Sequence, residues 1–166
     1  MHSVSPSSSP ADNSAGALGN VTVCRITPDI PLWDHLTDYA EHCSWPAGAH
    51  LAGMLRDNRF AGWEAVFAAV QDENIIGYCT FLKTDYYPEN RYWPWISSIF
   101  VGEEHRGQGV CGLLIRAAIG YARSCGFQKV YIPSDMTGFY ERYGFDKIDE
   151  LTNYGGDVDN IFAKDI

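Results

Sequence analysis

Val101-Gly102-Glu103-Glu104-His105-Arg106-Gly107-Gln108-Gly109-Val110-Cys111-Gly112 is the stretch on which the fold turns. Before it lies a compact apolar segment, Ile96 to Val101, of strand character. After it, Val110, Leu113, Leu114, Ala117, Ala118, Tyr121 and Ala122 fall on one helical stripe, and Gly126 supplies a C-terminal stop. A glycine-rich turn from strand into helix lets backbone N–H groups approach an anion where first-turn donors are unpaired and the macrodipole favours negative charge. Arg106 adds a formal cation, so the turn suits a diphosphate. Read alone, a glycine-rich helix start that binds nothing is the alternative. No Gly-Lys-Ser/Thr follows, which excludes a Walker loop, and the glycine spacing is not that of the dinucleotide fingerprint.

Outward from this stretch the chain alternates short strands and helices. Val21 to Ile26 reads as a strand, Leu32 to Cys43 as a helix and Ala47 to Asp57 as a second short helix. Glu64 to Gln71 and Ile75 to Lys83 are apolar runs joined by Asp72-Glu73-Asn74, the pattern of an antiparallel hairpin. Beyond the long helix, Lys129 to Pro133 is a strand, Thr137 to Tyr143 a short helix ended by Gly144, and Phe145 to Leu151 and Asn160 to Ile166 the final strands. Residues 1 to 20, rich in Ser, Pro, Ala, Asn and Gly, are expected to be a disordered tail, leaving residues 21 to 166 as one domain.

Composition narrows the function classes. The chain has 166 residues, 46% hydrophobic and 14% aromatic, enough for one sizeable core. Its net charge of -9 repels a phosphate backbone or an anionic membrane, so neither nucleic acid nor membrane is an expected partner, while a cationic substrate fits the field. Five cysteines, odd in number and without CxxC spacing, argue against a disulfide framework and a zinc site. The histidines form no ligand spacing, and no metal is expected. The first twenty residues lack the basic start and apolar run of a signal peptide, and no apolar run is long enough to span a membrane. The expectation is a reduced, cytoplasmic setting.

Arg106, Gly109 and Cys111 align with the R/Q-x-x-G-x-G/A signature of GNAT acyltransferases, with cysteine standing in the third position for Gly or Ala. Further on, Phe139-Tyr140-Glu141-Arg142-Tyr143-Gly144-Phe145 resembles the family's second signature, L-Y-E-K-x-G-F. Two motifs in order identify the chain as resembling the GNAT superfamily of acyl-CoA-dependent N-acetyltransferases. The resemblance implies an α/β (mixed α+β) fold: a central mixed, mostly antiparallel sheet of about six or seven strands, the fourth and fifth splayed, flanked by about four helices. It implies acetyl-CoA as co-substrate, contacted by Ile99, Phe100 and Val101 of the fourth strand, by Arg106, Gly107, Gln108, Gly109, Val110, Cys111 and Gly112 of the loop, and by Ser134 of the fifth strand. To Tyr140 it gives the role of general acid for the departing thiolate, a role for which a phenol with an ordinary pKa of ~10 is in the right protonation state. Packing of the short helix is the other reading of that tyrosine.

The acceptor implied is a small-molecule or peptide primary amine, attacked directly in a ternary complex. Relatives often carry a Glu near the start of the fourth strand as base, yet Trp95-Ile96-Ser97-Ser98 offers no carboxylate. Asp85, Glu89 and water held by Ser97 or Ser98 are the candidates, and none is assigned. Tyr86, Tyr87, Tyr92, Trp93 and Trp95 form either a pocket wall or packing. Asp157 and Asp159 sit in a Gly-rich stretch that reads as a hairpin turn or as carboxylates presented to an ammonium. A non-catalytic acyl-CoA-binding regulatory module is the alternative to an enzyme, a longer acyl donor stays open, and oligomeric state, a homodimer included, is not fixed.

Overall fold

A computed structural model describes residues 20–166; the expected disordered tail, residues 1 to 20, lies outside the described residues up to position 19. The element order is β1 (Val21–Ile26), α1 (Leu32–His42), α2 (Gly48–Arg56), β2 (Ala65–Gln71), β3 (Asn74–Leu82), β4 (Trp95–Val101), α3 (Val110–Ser124), β5 (Lys129–Ser134), β6 (Asp146–Thr152) and β7 (Val158–Asp165). Short 3₁₀ turns cover Glu103–His105 and Tyr140–Tyr143. The helix expected from Thr137 is only that second turn, because Gly138 at φ 79° leaves the right-handed region just before it. Thus three α-helices flank the sheet among the described residues.

All seven strands join one sheet in the order β1-β2-β3-β4-β5-β7-β6. Every neighbouring pair is antiparallel except β4 and β5. The β2–β3 hairpin closes on two residues, Asp72 and Glu73, at φ 49° and 65°, while Asn74 already pairs with Gln71. Two consecutive positive φ values match the twist of a tight hairpin, here without the usual glycine.

Period-two alternation sends the two faces of β2 to different cores. Ala65, Phe67 and Ala69 pack with α3, where Val110, Leu114, Ala118 and Ala122 of the predicted stripe are buried, Leu113, Ala117 and Tyr121 are partly buried at its edge, and the unpredicted Ile115 and Ile119 complete the buried face. Val66 and Ala68 point the other way, against Trp33, Leu36 and Ala40 of α1 and Leu51, Ala52 and Leu55 of α2. Trp33 also donates its indole N–H to the Leu55 carbonyl at 3.2 Å, locking the end of α2 onto α1. Burying each large aliphatic side chain here contributes roughly 1.5–3 kcal/mol, so the sheet is clamped between α3 on one face and α1–α2 on the other.

The site is positioned by β4. A bulge puts Ser98 at φ 49° and shifts register, so that Tyr78 faces Phe100 while Thr80 faces Ser97. Thr80 and Ser97, 1% and 5% exposed, are the buried polar residues of the described chain. The Thr80 hydroxyl donates to the Ser97 carbonyl at 3.0 Å and lies 3.1 Å from the Ser97 hydroxyl, pinning the bulge from β3. On its other side β4 pairs with β5 only at Trp95 and Tyr131, beside a Tyr131 N–H to Pro94 carbonyl bond of 3.1 Å. From there the strands diverge, as the resemblance implied.

Candidate active site

The divergence opens two clefts that meet. The first, of about 860 Å³, runs along Ile99, Phe100 and Val101, past His105 to Cys111, and over Met136, Phe139, Tyr140, Arg142 and Tyr143. The second, of about 1000 Å³, lies on the far side of the β4–β5 gap, between the α1–α2 corner at Trp45 and His50, the β3–β4 loop at Asp85 to Tyr87, and Tyr154 and Asp159 at the β7 end. Ile99, Met136 and Tyr140 line both.

The first cleft ends on the glycine turn. Gly107 and Gly109 hold φ 75° and 87°, the left-handed region where a side chain is strained. The turn thereby delivers α3 with an uncapped N-terminus: Gly109 is its N-cap and offers no side chain. None of the N–H groups from Gly107 to Gly112 donates to a backbone carbonyl among the described residues. A row of free donors at a helix start fits a diphosphate. Arg106 lies over the Phe100 ring at 5.4 Å and donates from Nε to the Val101 carbonyl at 2.8 Å, which sets its guanidinium at the cleft edge.

Of the sequence-predicted coenzyme contacts, all but Gly112 and Ser134 line this first cleft. Gly112 is buried on α3 against Tyr143, whose Cε1 would stand 2.9 Å from an added Cβ, so its smallness serves packing. Ser134 lines the second cleft, where its hydroxyl accepts the Met136 N–H at 3.0 Å. Tyr143, read from sequence as packing, both packs and lines the first cleft. His105, Met136, Phe139 and Arg142 were missed as lining residues. Arg142, stacked on Phe139 at 4.7 Å, stood within the second motif and was the one signal available.

Tyr140 opens the 3₁₀ turn that Gly144 closes at φ 88°. Its ring sits among Phe139, Phe145 and Phe162, leaving the residue 6% exposed. Burial, then Cys111, Tyr143, Cys79 and Asp135, raises its pKa, so the phenol stays protonated. Among the described residues no hydrogen-bond partner takes its hydroxyl, and the residue stands where the clefts join. Cys111, at the third motif position, is also pushed up, to about 11, chiefly by burial, and is a neutral thiol at ordinary pH.

The candidate bases and the candidate ammonium-facing carboxylates read from the sequence are separated by place. Glu89 is exposed and paired with Arg91 at 2.9 Å. Asp85 lines the cleft, accepts the Tyr86 N–H at 2.6 Å, and has its pKa raised first of all by burial. Asp157 belongs to the β6–β7 turn, donating its N–H to Asn153 Oδ1 at 3.2 Å. Asp159 lines the cleft but accepts from the Tyr87 hydroxyl at 2.8 Å and the Asn153 amide at 3.0 Å. Of the loop aromatics, Tyr86 and Tyr87 line the cleft, whereas Tyr92 and Trp95 pack with Tyr131. Among the described residues no group of His, Cys, Asp and Glu is arranged to hold a metal ion, and no helix is long and apolar enough to cross a membrane. All five cysteines are free.

A profile of the Acetyltransferase (GNAT) family matches residues 28–145, which span most of the sheet, the glycine turn and Tyr140. The chain belongs to the GNAT acetyltransferase family. This GNAT chain is similar to the uncharacterized N-acetyltransferase YhbS of Escherichia coli (strain K12), 31% identical over 101 residues, which are 60% of the chain and 59% of YhbS. It spans about half the length of the curated relatives it matches. Two solved structures share its fold. A GNAT family acetyltransferase from Elizabethkingia anophelis, with acetyl-CoA bound, is 18% identical at a TM-score of 0.59, over 89% of this chain and 99% of that one. The aminoglycoside 6'-N-acetyltransferase from Enterococcus faecium is 16% identical at a TM-score of 0.66, over 87% and 96%.

Proposed function

We propose that this chain moves the acetyl group of acetyl-CoA to a primary amine by direct attack in a ternary complex, with Tyr140 as general acid for the coenzyme thiolate. The observation that carries the reading is the place of Tyr140: a protonated hydroxyl without a partner among the described residues, on a largely buried ring, at the junction of a cleft that ends in free helix N–H donors and a second, acid-bearing cleft. In the first cleft the Gly107 to Gly112 amides and Arg106 would grip the diphosphate, and the β5-facing side of β4 from Ile99 to Val101, which no strand pairs, would take the pantetheine arm. The second cleft would hold the amine; its carboxylates, Glu64, Asp85, Asp135 and Asp159, outnumber its one guanidinium, Arg59, and so favour a cation. The free cysteines suit a reduced, cytoplasmic setting.

Acid catalysis accounts for about 10²–10⁴ in rate where a positioned group supplies the proton. Tyr140→Phe removes that proton and keeps the ring among Phe139, Phe145 and Phe162. The expected result is a loss in kcat within that range, with acetyl-CoA affinity and melting temperature close to those of the unsubstituted chain. Full activity would exclude the role. Tight acetyl-CoA binding without turnover across a broad amine panel would instead favour a non-catalytic acyl-CoA-binding module.

A further inference from the structure

We infer that Asp85, reaching the second cleft from the β3–β4 loop, is the group that takes the proton from the incoming ammonium, in place of a carboxylate on β4. The assignment rests on the acetyltransferase reading above.

Asp85 carries one satisfied and one unsatisfied oxygen. Oδ1 accepts the Tyr86 N–H at 2.6 Å; Oδ2 is closed to solvent and has no hydrogen-bond partner among the described residues. The residue as a whole is half-buried, with its carboxyl turned inward. A buried carboxylate oxygen with no donor is costly, and such orphans gather where a ligand brings the donor. Oδ2 is the single buried side-chain atom in this condition among the described residues.

The other carboxylates of the cleft are committed elsewhere. Glu64 accepts the Ala61 N–H at 3.1 Å and the Lys83 N–H at 3.0 Å, so it fastens two loops. Asp159 is held by Tyr87 and Asn153. Asp135 is exposed, and solvent satisfies it. An ammonium entering the cleft therefore finds one buried acceptor oxygen that no donor of the described residues reaches in hydrogen-bond geometry, with the Ser97 hydroxyl as a polar neighbour.

The surroundings tune that acceptor. Facing Asp85 are His50 from α2, Ser97 from β4, Asp159 from β7 and Tyr86 beside it. Burial raises its pKa most and Asp159 adds to the rise; the Tyr86 N–H, Ser97 and His50 oppose it. The net shift is upward, which makes the carboxylate a stronger proton acceptor than an ordinary aspartate. Asp85 accepts one proton from R–NH₃⁺, which frees the nitrogen lone pair. That pair forms the N–C bond to the acetyl carbonyl carbon as the C–S bond breaks, its electrons leaving on sulfur. Tyr140 gives its proton to the sulfur and recovers one from the nitrogen, and Asp85 releases its proton to solvent. The sum is ammonium plus thioester to amide, thiol and one proton.

The test compares the unsubstituted chain with D85N and D85E on two acceptors that share a phenyl body: phenethylamine, whose nitrogen is protonated at neutral pH, and phenylhydrazine, whose terminal nitrogen is already neutral. Acetyl-CoA binding by calorimetry and melting temperature accompany each variant, since asparagine keeps an acceptor for the Tyr86 N–H. The expected result is a loss of about 10²–10⁴ in kcat/KM for D85N with phenethylamine and of less than about tenfold with phenylhydrazine. D85E should restore part of the phenethylamine rate. The acid limb of the kcat/KM profile seen with phenethylamine should disappear in D85N. Equal losses on both acceptors, or an unchanged acid limb, overturn the assignment and leave Asp85 a structural residue. If the unsubstituted chain binds acetyl-CoA but acetylates neither acceptor nor any amine of a broad panel, the acetyltransferase reading fails and takes the assignment with it.

Discussion

Replacing Gly107 by alanine isolates what the glycine turn contributes. The residue sits at φ 75°, and an added Cβ would meet nothing within 4 Å, so no clash confuses the result and the whole cost is that of a left-handed backbone. For an L-residue that cost is about 1–2 kcal/mol, offset in part by the lower chain entropy of alanine in the unfolded state, for a net loss near 1 kcal/mol. Gly120, on the exposed side of α3, is the control: its Cβ also meets nothing within 4 Å, but its backbone is helical. There alanine should stabilise by about 0.5–1 kcal/mol. The two single substitutions should therefore shift the melting temperature in opposite directions and differ by about 5 °C, at roughly 3 °C per kcal/mol for a chain of this size. Calorimetric titration with acetyl-CoA completes the assay. If the G107A turn keeps its shape, stability falls and affinity holds. If the turn relaxes, stability holds and affinity falls by about fivefold, the equivalent of 1 kcal/mol. Unchanged stability together with unchanged affinity would refute the argument that this backbone shape presents the donors.

Three further outcomes follow from the geometry. Thr80→Val removes the hydroxyl that ties β3 to the β4 bulge at Ser97 and should cost about 1–3 kcal/mol in denaturant unfolding. Arg106→Ala should weaken acetyl-CoA binding by about tenfold, a charge-assisted contact's worth, and flatten its salt dependence in titrations at low and high ionic strength. Asp85 has its folded pKa raised above the unfolded value, so the folded state binds the extra proton and the wild-type side chain costs no stability at pH below the ordinary aspartate range. As pH rises through the raised folded value that stability is lost; D85N should then melt higher than the wild type at neutral pH and equally at low pH.

How much of this was legible before the structure depends on the kind of signal. The stripe from Val110 to Ala122 and the glycines at 107 and 109 were readable, because one reports helical period and the other a backbone only glycine adopts cheaply. The β2–β3 hairpin was readable from its two apolar runs, though its turn was placed one residue long, since Asp72 and Glu73 give no glycine to mark two positive φ values. The bulge at Ser98 left no trace, because a serine at positive φ is held there by Thr80 across the sheet. Gly112 looked like part of the loop but makes room for Tyr143, a contact formed across the fold. Ser134 followed the family pattern to the fifth strand, yet which cleft it faces depends on how far β5 has turned away from β4. Asp85 and Glu89 were equivalent as letters; only the packing of the β3–β4 loop seals one and leaves the other beside Arg91 in solvent.

The single bridge between Trp95 and Tyr131 has a mechanical consequence. The sheet is two leaves, β1 to β4 and β5 to β7, hinged at one point along the seam and otherwise held by what packs above and below it. A hinge with one stitch resists bending poorly, and the backbone amides along the open seam are those a native hydrogen-exchange experiment should find least protected within the sheet. Whatever threads that seam acts as a missing row of stitching: its binding energy acts where the leaves are weakest, so occupancy of the seam and stiffness of the whole sheet rise together.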